Sequence, residues 1–253
     1  MMEIKKIEKK SNRYHVLIGN ETYEIMPIVF IKYNLTLGKV LSLNELRDLI
    51  NENSYHYFDD LALKKLKKMM TKKELISYLQ SKNAPINVIN QLIENYERMK
   101  FIDDYAYAKA FISSNETKYG KHVLKEKLIE RGIHENLVEK ILEYHKENNV
   151  IEPLVLKKLS STKGKNIQDV INKTARYFIS KGFNEDLVLA IILKNKKLIK
   201  VNSHDTIKRR YEKLYVKYMK QYDERETHLK IKQKLRQEGF TLEEINVILN
   251  QEF

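Results

Sequence analysis

Four stretches of the chain share one arrangement of apolar and polar positions. An apolar residue is followed four positions on by a turn residue, and at once by another apolar residue. The sets are Leu79, Asn83 and Ala84; Leu128, Gly132 and Ile133; Phe178, Gly182 and Phe183; and Leu235, Gly239 and Phe240. The sixth, ninth and tenth positions after each turn residue are also apolar: Ile89, Leu92 and Ile93; Val138, Ile141 and Leu142; Val188, Ile191 and Ile192; Ile245, Ile248 and Leu249. A spacing of i, i+3, i+4 puts them on one stripe of a helix. Glycine ends a helix because it adopts a left-handed backbone conformation at little cost, and asparagine is the usual substitute. Each unit therefore reads as helix, tight turn, helix. The turn residues lie 49, 50 and 57 positions apart. A period near fifty predicts a tandem array of small helical units.

Ser42 with Glu45, Thr71 with Glu74 and Thr241 with Glu244 have the spacing of a capping box, which marks a helix start. Phe58–Ala62 and Ile102–Ala106 each carry an Asp-Asp pair. An aspartate in that place is expected to cap a third helix in each unit, accepting from free amides at the positive end of the dipole. Neighbours on a helix point about 100° apart, so Asp103 and Asp104 do not converge on one metal ion. The first forty residues follow another period: Tyr14, Val16 and Ile18 alternate with their neighbours, Gly19-Asn20 intervenes, and Thr22–Ile25 resumes. That is a β-hairpin pattern, with Ile4–Glu8 available as a further strand. A lone hairpin is barely stable, so it should pack on the helices that follow.

The expected fold is mainly α: about four tandem three-helix repeats in an extended array, preceded by a small N-terminal β-hairpin element. The expected boundaries are 1–40 for the hairpin element and 41–102, 103–151, 152–201 and 202–253 for the repeats. Four stacked units of this kind would span roughly 60–100 Å. Ser160–Lys165, small and polar, reads as a linker, and the seven extra residues of the fourth unit are expected in its long basic helix.

Charge adds a partner class. The chain has 47 basic and 34 acidic residues, a net +13, which suits a polyanion or a protein that carries one. The excess concentrates in 194–220, where ten Lys or Arg face only Asp205 and Glu212. Lys194, Lys196, Lys197, Arg209 and Arg210 are the candidate contacts to DNA or to an acidic protein surface. Tyr211, Tyr215, Tyr218 and Tyr222 run through the same segment at helical spacing, which places the rings in the core rather than against bases.

Several chemistries find no residues to carry them. Cysteine is absent, which removes disulfides and thiolate metal sites. Lys163-Gly164-Lys165 lacks the rest of a phosphate-binding loop, and no histidine falls in a metal-ligand spacing. His134, just past Gly132, suits a capping role at a helix start. No catalytic, cofactor-binding or metal-ligating residue is assigned. No signal peptide or long apolar run is seen, so the chain is expected to be soluble, cytoplasmic, monomeric and without a membrane partner.

The middle of the chain resembles the RecX family of bacterial recombinase regulators. Ala62-Leu63-x-x-Leu66 and Thr71-x-x-Glu74-Leu75-x-x-Tyr78-Leu79 look like its first helices. Phe101-Ile102-Asp103-Asp104-Tyr105-x-Tyr107-Ala108 is similar to its most recognisable stretch. Gly120-x-x-x-Leu124-x-x-Lys127-Leu128-x-x-Arg131-Gly132-Ile133 matches the next helix pair, and Gly182-Phe183 and Gly239-Phe240 match later repeats. The likeness covers about 58–253; Asn83 in place of glycine and Met69-Met70 in place of basic residues depart from it. It implies tandem three-helix repeats that bind the RecA filament on single-stranded DNA and restrain ATP hydrolysis, strand exchange and coprotease action, without catalytic residues. Three alternatives stand beside it: a basic helical protein that binds single- or double-stranded DNA directly without RecA, a scaffold for another protein, and an enzyme whose site is assembled from separate helices.

Overall fold

The computed structural model describes residues 2–201 and 204–249. Four strands, β1 (Met2–Lys10), β2 (Arg13–Ile18), β3 (Glu21–Ile25) and β4 (Val40–Leu41), form an antiparallel sheet in the order β3-β2-β1-β4. The expected hairpin, β2–β3, is thus one side of a larger sheet, with β3 at its edge. Gly19, with φ of +62°, makes the turn between β2 and β3, and the register pairs Ile18 with Glu21 and Tyr14 with Ile25. Helix α1 (Pro27–Lys32) follows, and Phe30 stacks on Tyr14 with ring centroids 3.8 Å apart.

Helix α2 (Leu43–Lys65) starts at the expected capping box, with the Ser42 side chain accepting from the Glu45 amide. Its Leu46 and Leu49 complete the sheet's core with Ile4, Val16, Ile18 and Ile25. Asn53 ties helix to sheet, accepting from the Met26 amide at 2.7 Å and donating to the Glu24 carbonyl at 2.8 Å. Asp59 and Asp60 lie inside α2, not at a helix start, because nothing between Ser42 and Lys65 interrupts the hydrogen-bond ladder. Asp59 instead accepts from the buried Tyr96 hydroxyl at 2.5 Å; burial first, then this carboxylate, push the phenol well above its ordinary value.

The remaining helices group around the turn residues, first a pair that packs on α2 and then three sets of three. They are α3 (Lys72–Ser81) and α4 (Ile86–Arg98); α5 (Asp104–Asn115), α6 (Lys121–Glu130) and α7 (Glu135–Glu143); α8 (Glu147–Ser161), α9 (Ile167–Ile179) and α10 (Glu185–Lys194); and α11 (His204–Tyr218), α12 (Glu224–Gln237) and α13 (Leu242–Leu249). Asn83, Gly132, Gly182 and Gly239 all sit at positive φ, between +60° and +92°. The described apolar columns are buried or half-buried; the side chain of Ile248 lies outside the described residues, as do 202–203 and 250–253 of the fourth repeat. Thr71 and Thr241 make the capping bonds their spacing predicts, and the His134 ring accepts from the Asn136 amide at 3.3 Å.

Two expectations fail on local grounds. Ser160 and Ser161 close the last turn of α8, their hydroxyls bonding back to the Lys157 and Lys158 carbonyls, so the connection to α9 is only 162–166. The extra length of the fourth unit is not in its basic helix, since α8 and α11 have 15 residues each. It sits mainly before α11, where a 3-10 turn, Lys196–Leu198, follows α10. Of the four tyrosines, Tyr211 is buried, while Tyr215 and Tyr218 are partly buried against the same cluster. Tyr222 lies beyond the end of α11, with Lys230 over its ring.

By packing, the chain divides into two compact units. One comprises Met1–Ala110 with Leu128–Val138, and the other Phe111–Lys127 with Glu139–Phe253. The expected 103–151 repeat contributes to both.

Candidate functional site

One local contact recurs between successive repeats. The carbonyl just before the turn glycine of one repeat accepts a hydrogen bond from the start of the middle helix of the repeat before it. In the first unit the Thr71 hydroxyl donates to the Arg131 carbonyl at 2.7 Å. In the second unit the Gly120 amide donates to the Lys181 carbonyl at 2.9 Å, and the Asn166 side chain donates to the Glu238 carbonyl at 2.9 Å. A carbonyl left free at a helix end thereby gains a donor each time, a side chain at Thr71 and Asn166 and a backbone amide at Gly120.

Acidic residues complete these junctions. Asp103 caps its own helix through the Ala106 amide at 3.0 Å, which holds its carboxyl below the ordinary range. Asp104 reaches the Lys72 amide at the start of α3, at 2.9 Å, and burial raises its carboxyl. Glu147, only 6% exposed, accepts from the Lys121 amide at 2.7 Å and the Asn184 amide at 3.2 Å, joining the starts of α6 and α10. The aspartate pair is thus structural, and among the described residues no His, Asp or Glu cluster has the makings of a metal site. No described helix is long and apolar enough to cross a membrane.

Each junction leaves a cleft. In the first unit, Lys65, Lys68, Lys73 and Arg131 share a cleft of about 800 Å³ with Glu74 and Glu130. Met69 and Met70, the departures from the family pattern, line it too. Arg131 donates to Glu74 at 2.8 Å and to the Tyr107 hydroxyl at 2.7 Å, so part of that charge is spoken for.

In the second unit two clefts occupy corresponding places. The later one, of about 830 Å³, is lined by Arg209, Arg210, Lys213, Lys165, Asp205 and Glu238 among others. Arg210 is not free there. Its guanidinium grips Glu238 through two nitrogens at 2.5–3.1 Å, raising the guanidinium and lowering the carboxyl from their ordinary values. It ties α11 to the end of α12, whereas Arg209, one position earlier, is exposed. Lys194 ends α10 and Lys196 and Lys197 lie in the 3-10 turn, all exposed and none lining this cleft. Sequence reasoning missed the earlier cleft, of about 380 Å³, between the 117–119 loop, α8, α9 and the 181–183 turn. Leu154, Lys157, Lys158 and Ser161 line it at the spacing with which Thr206, Arg209, Arg210 and Lys213 line the later one. The repeat register, 57 residues from Gly182 to Gly239, sets Lys157 and Lys158 opposite Leu214 and Tyr215, so overlaying the repeats does not reveal it.

The chain is similar over almost its whole length to curated proteins. It is 28% identical over 250 residues to Regulatory protein RecX of Streptococcus pneumoniae strain CGSP14, covering 96% of this chain and 97% of that one. The same protein of serotype 19F strain G54 matches to the same extent. Among solved structures, a crystal structure of regulatory protein RecX superposes with a TM-score of 0.60 at 19% identity, covering 75% of this chain and 98% of that chain. A crystal structure of RecX from Lactobacillus salivarius superposes with a TM-score of 0.50 at 22% identity, covering 58% and 99%. The two superpositions show the fold. No family model matches the chain. The resemblance to the RecX family read from the sequence holds in both comparisons.

Proposed function

We propose that this chain is a non-catalytic regulator that binds the RecA filament on single-stranded DNA and restrains its ATP hydrolysis, strand exchange and coprotease action. The likeness to regulatory proteins named RecX along nearly the full length of both chains carries this reading. The +13 charge and the basic clefts at the junctions support it, because such a filament is a polyanion held by protein. Repeats bounded at 41–102, 103–151, 152–201 and 202–253 would each offer a weak contact. Weak contacts on one body add up through effective concentration, and binding several protomers in one geometry opposes the changes that hydrolysis and exchange require.

Within this reading Lys194, Lys196, Lys197 and Arg209 are exposed contacts, while Arg210 acts indirectly by holding α12 in place. The chain acts in the cytoplasm as a monomer and needs no cofactor. The test is the RecA ATPase on single-stranded DNA with and without the chain, at several salt concentrations, beside binding to naked DNA. Restraint at chain concentrations that leave naked DNA unbound is the expected result. Tight binding to naked DNA with an unchanged ATPase would favour direct DNA binding instead.

A further inference from the structure

The earlier cleft of the second unit has a composition that the later one lacks. Lys118, Lys157, Lys158 and Lys181 line it, and among the described residues no acidic one does. Two rings stand among these cations. Lys158 Nζ lies 4.4 Å from the centroid of Tyr177, and Lys181 Nζ lies 5.8 Å from that of Tyr119. Tyr177 is 43% exposed with Lys158 over its ring, and Tyr119 also carries Lys127 at 4.8 Å, so a base reaches either ring by displacing a lysine from it. Phe178 and Phe183, both buried and packed edge to face at 5.7 Å, close the floor.

The cleft is built rather than loosely assembled. The Gly120 and His122 amides donate to the Lys181 and Gly182 carbonyls at 2.9 and 3.2 Å, pinning the loop to the turn. A Cβ on Gly120 would lie 2.2 Å from the Phe183 nitrogen, so only glycine lets the two segments meet. A site held in its bound shape loses little conformational freedom when it binds.

Each ligand class uses a different part of this surface. An acidic peptide would satisfy the lysines but leave the tyrosine faces idle. A duplex presents phosphates but keeps its base faces stacked. A single strand offers both at once, a base face for a ring and phosphates on either side for the cations. We propose that this cleft binds one nucleotide unit of single-stranded nucleic acid, with the base against Tyr177 or Tyr119 and the flanking phosphates on Lys118, Lys157, Lys158 and Lys181. The site goes beyond the regulator reading, since it requires no recombinase.

The experiment measures binding of the full chain, without recombinase, to labelled oligothymidylate and to an abasic strand of equal length. Oligothymidylate should bind about tenfold or more tighter, the range expected for stacking one base. Tyr177→Leu with Tyr119→Leu should erase that difference, and Tyr177→Phe with Tyr119→Phe should keep it. Lys157→Gln with Lys158→Gln, changes on the outer face of α8 that leave the core intact, should weaken both strands and reduce the salt slope by about 1.4. Equal binding of the two strands overturns the proposal, as does full binding by both leucine and glutamine variants. Displacement by thymidine monophosphate at the concentration of strand nucleotides would assign the cleft to free nucleotides and overturn the strand. Displacement by an oligo-aspartate peptide that the leucine variant still binds would do the same in favour of a protein partner. Because RecA is absent, failure here leaves the ATPase test of the regulator reading untouched.

Discussion

The two clefts of the second unit are made from the same parts and end with different chemistry. Each joins a loop before a middle helix, a basic face of the following helix, and the turn of the next repeat. The residue before the turn glycine is Lys181 in one and Glu238 in the other. Glu238 binds Arg210 of α11, and one acidic side chain turns a cation available to ligand into an internal tie. In the earlier cleft that position is basic, and the lysines remain beside tyrosine rings. The segment with the larger formal charge, 194–220, is therefore not the one whose cleft is free of acid. Net charge counts residues, whereas binding depends on which charges already have partners.

Substitutions that break the two junctions separate them most. At Gly182 a methyl group would meet the Val123 backbone nitrogen at 2.6 Å, at a φ that disfavours any side chain; at Gly239 the nearest atom is a side-chain nitrogen at 3.2 Å. Gly182→Ala should cost on the order of 2–3 kcal/mol in urea denaturation. Gly239→Ala should cost about 1 kcal/mol, since Asn166 can shift. Equal costs would mean that the junctions are equally tolerant and the comparison is misplaced.

Polar contacts come next. Glu147→Gln keeps one acceptor for two amides in a buried place and should cost about 1–2 kcal/mol. Arg210→Gln breaks a partly exposed pair and should cost less, about 0.5–1 kcal/mol. Chemical denaturation of the two variants in parallel checks the order.

Exchanging the residues before the glycines tests the chemistry directly. Lys181→Glu should weaken oligothymidylate binding several-fold at low salt, while Glu238→Lys should strengthen it by a smaller factor. Titrations at two salt concentrations decide it, and a Glu238→Lys chain that binds less tightly would reverse the argument.

The smallest effect is a pH dependence confined to the later junction. Arg210 depresses the Glu238 carboxyl from its ordinary value of 4.5. A depressed carboxyl contributes stability that is present above the unfolded value and lost as pH falls through the folded one. Wild type should therefore lose somewhat more stability than Glu238→Gln below about pH 4.5, by less than about 1 kcal/mol given the exposure of the pair. Melting curves across that range should converge at the acid end.

Much of the helical architecture was legible because its signals are local. The left-handed turn residues, the capping boxes at Ser42, Thr71 and Thr241, and the apolar stripes each depend on neighbours within about ten positions. Asp59-Asp60 was misread for the same reason: its likeness to Asp103-Asp104 is local, but its place in the middle of α2 follows from the uninterrupted ladder around it. Arg210 reads in the sequence as a candidate contact because its partner lies 28 residues away. The earlier cleft drew on three segments, near 118, 157 and 181, none of which is conspicuous alone.

By itself the sequence determined where helices begin, where they turn, and which stripe of each is buried, since backbone conformation and apolar spacing are properties of short stretches. Only the tertiary structure decided which charges are neutralised and which remain open. An ion pair or a cleft forms between residues distant along the chain, and its energy depends on their separation in space, which no local pattern encodes.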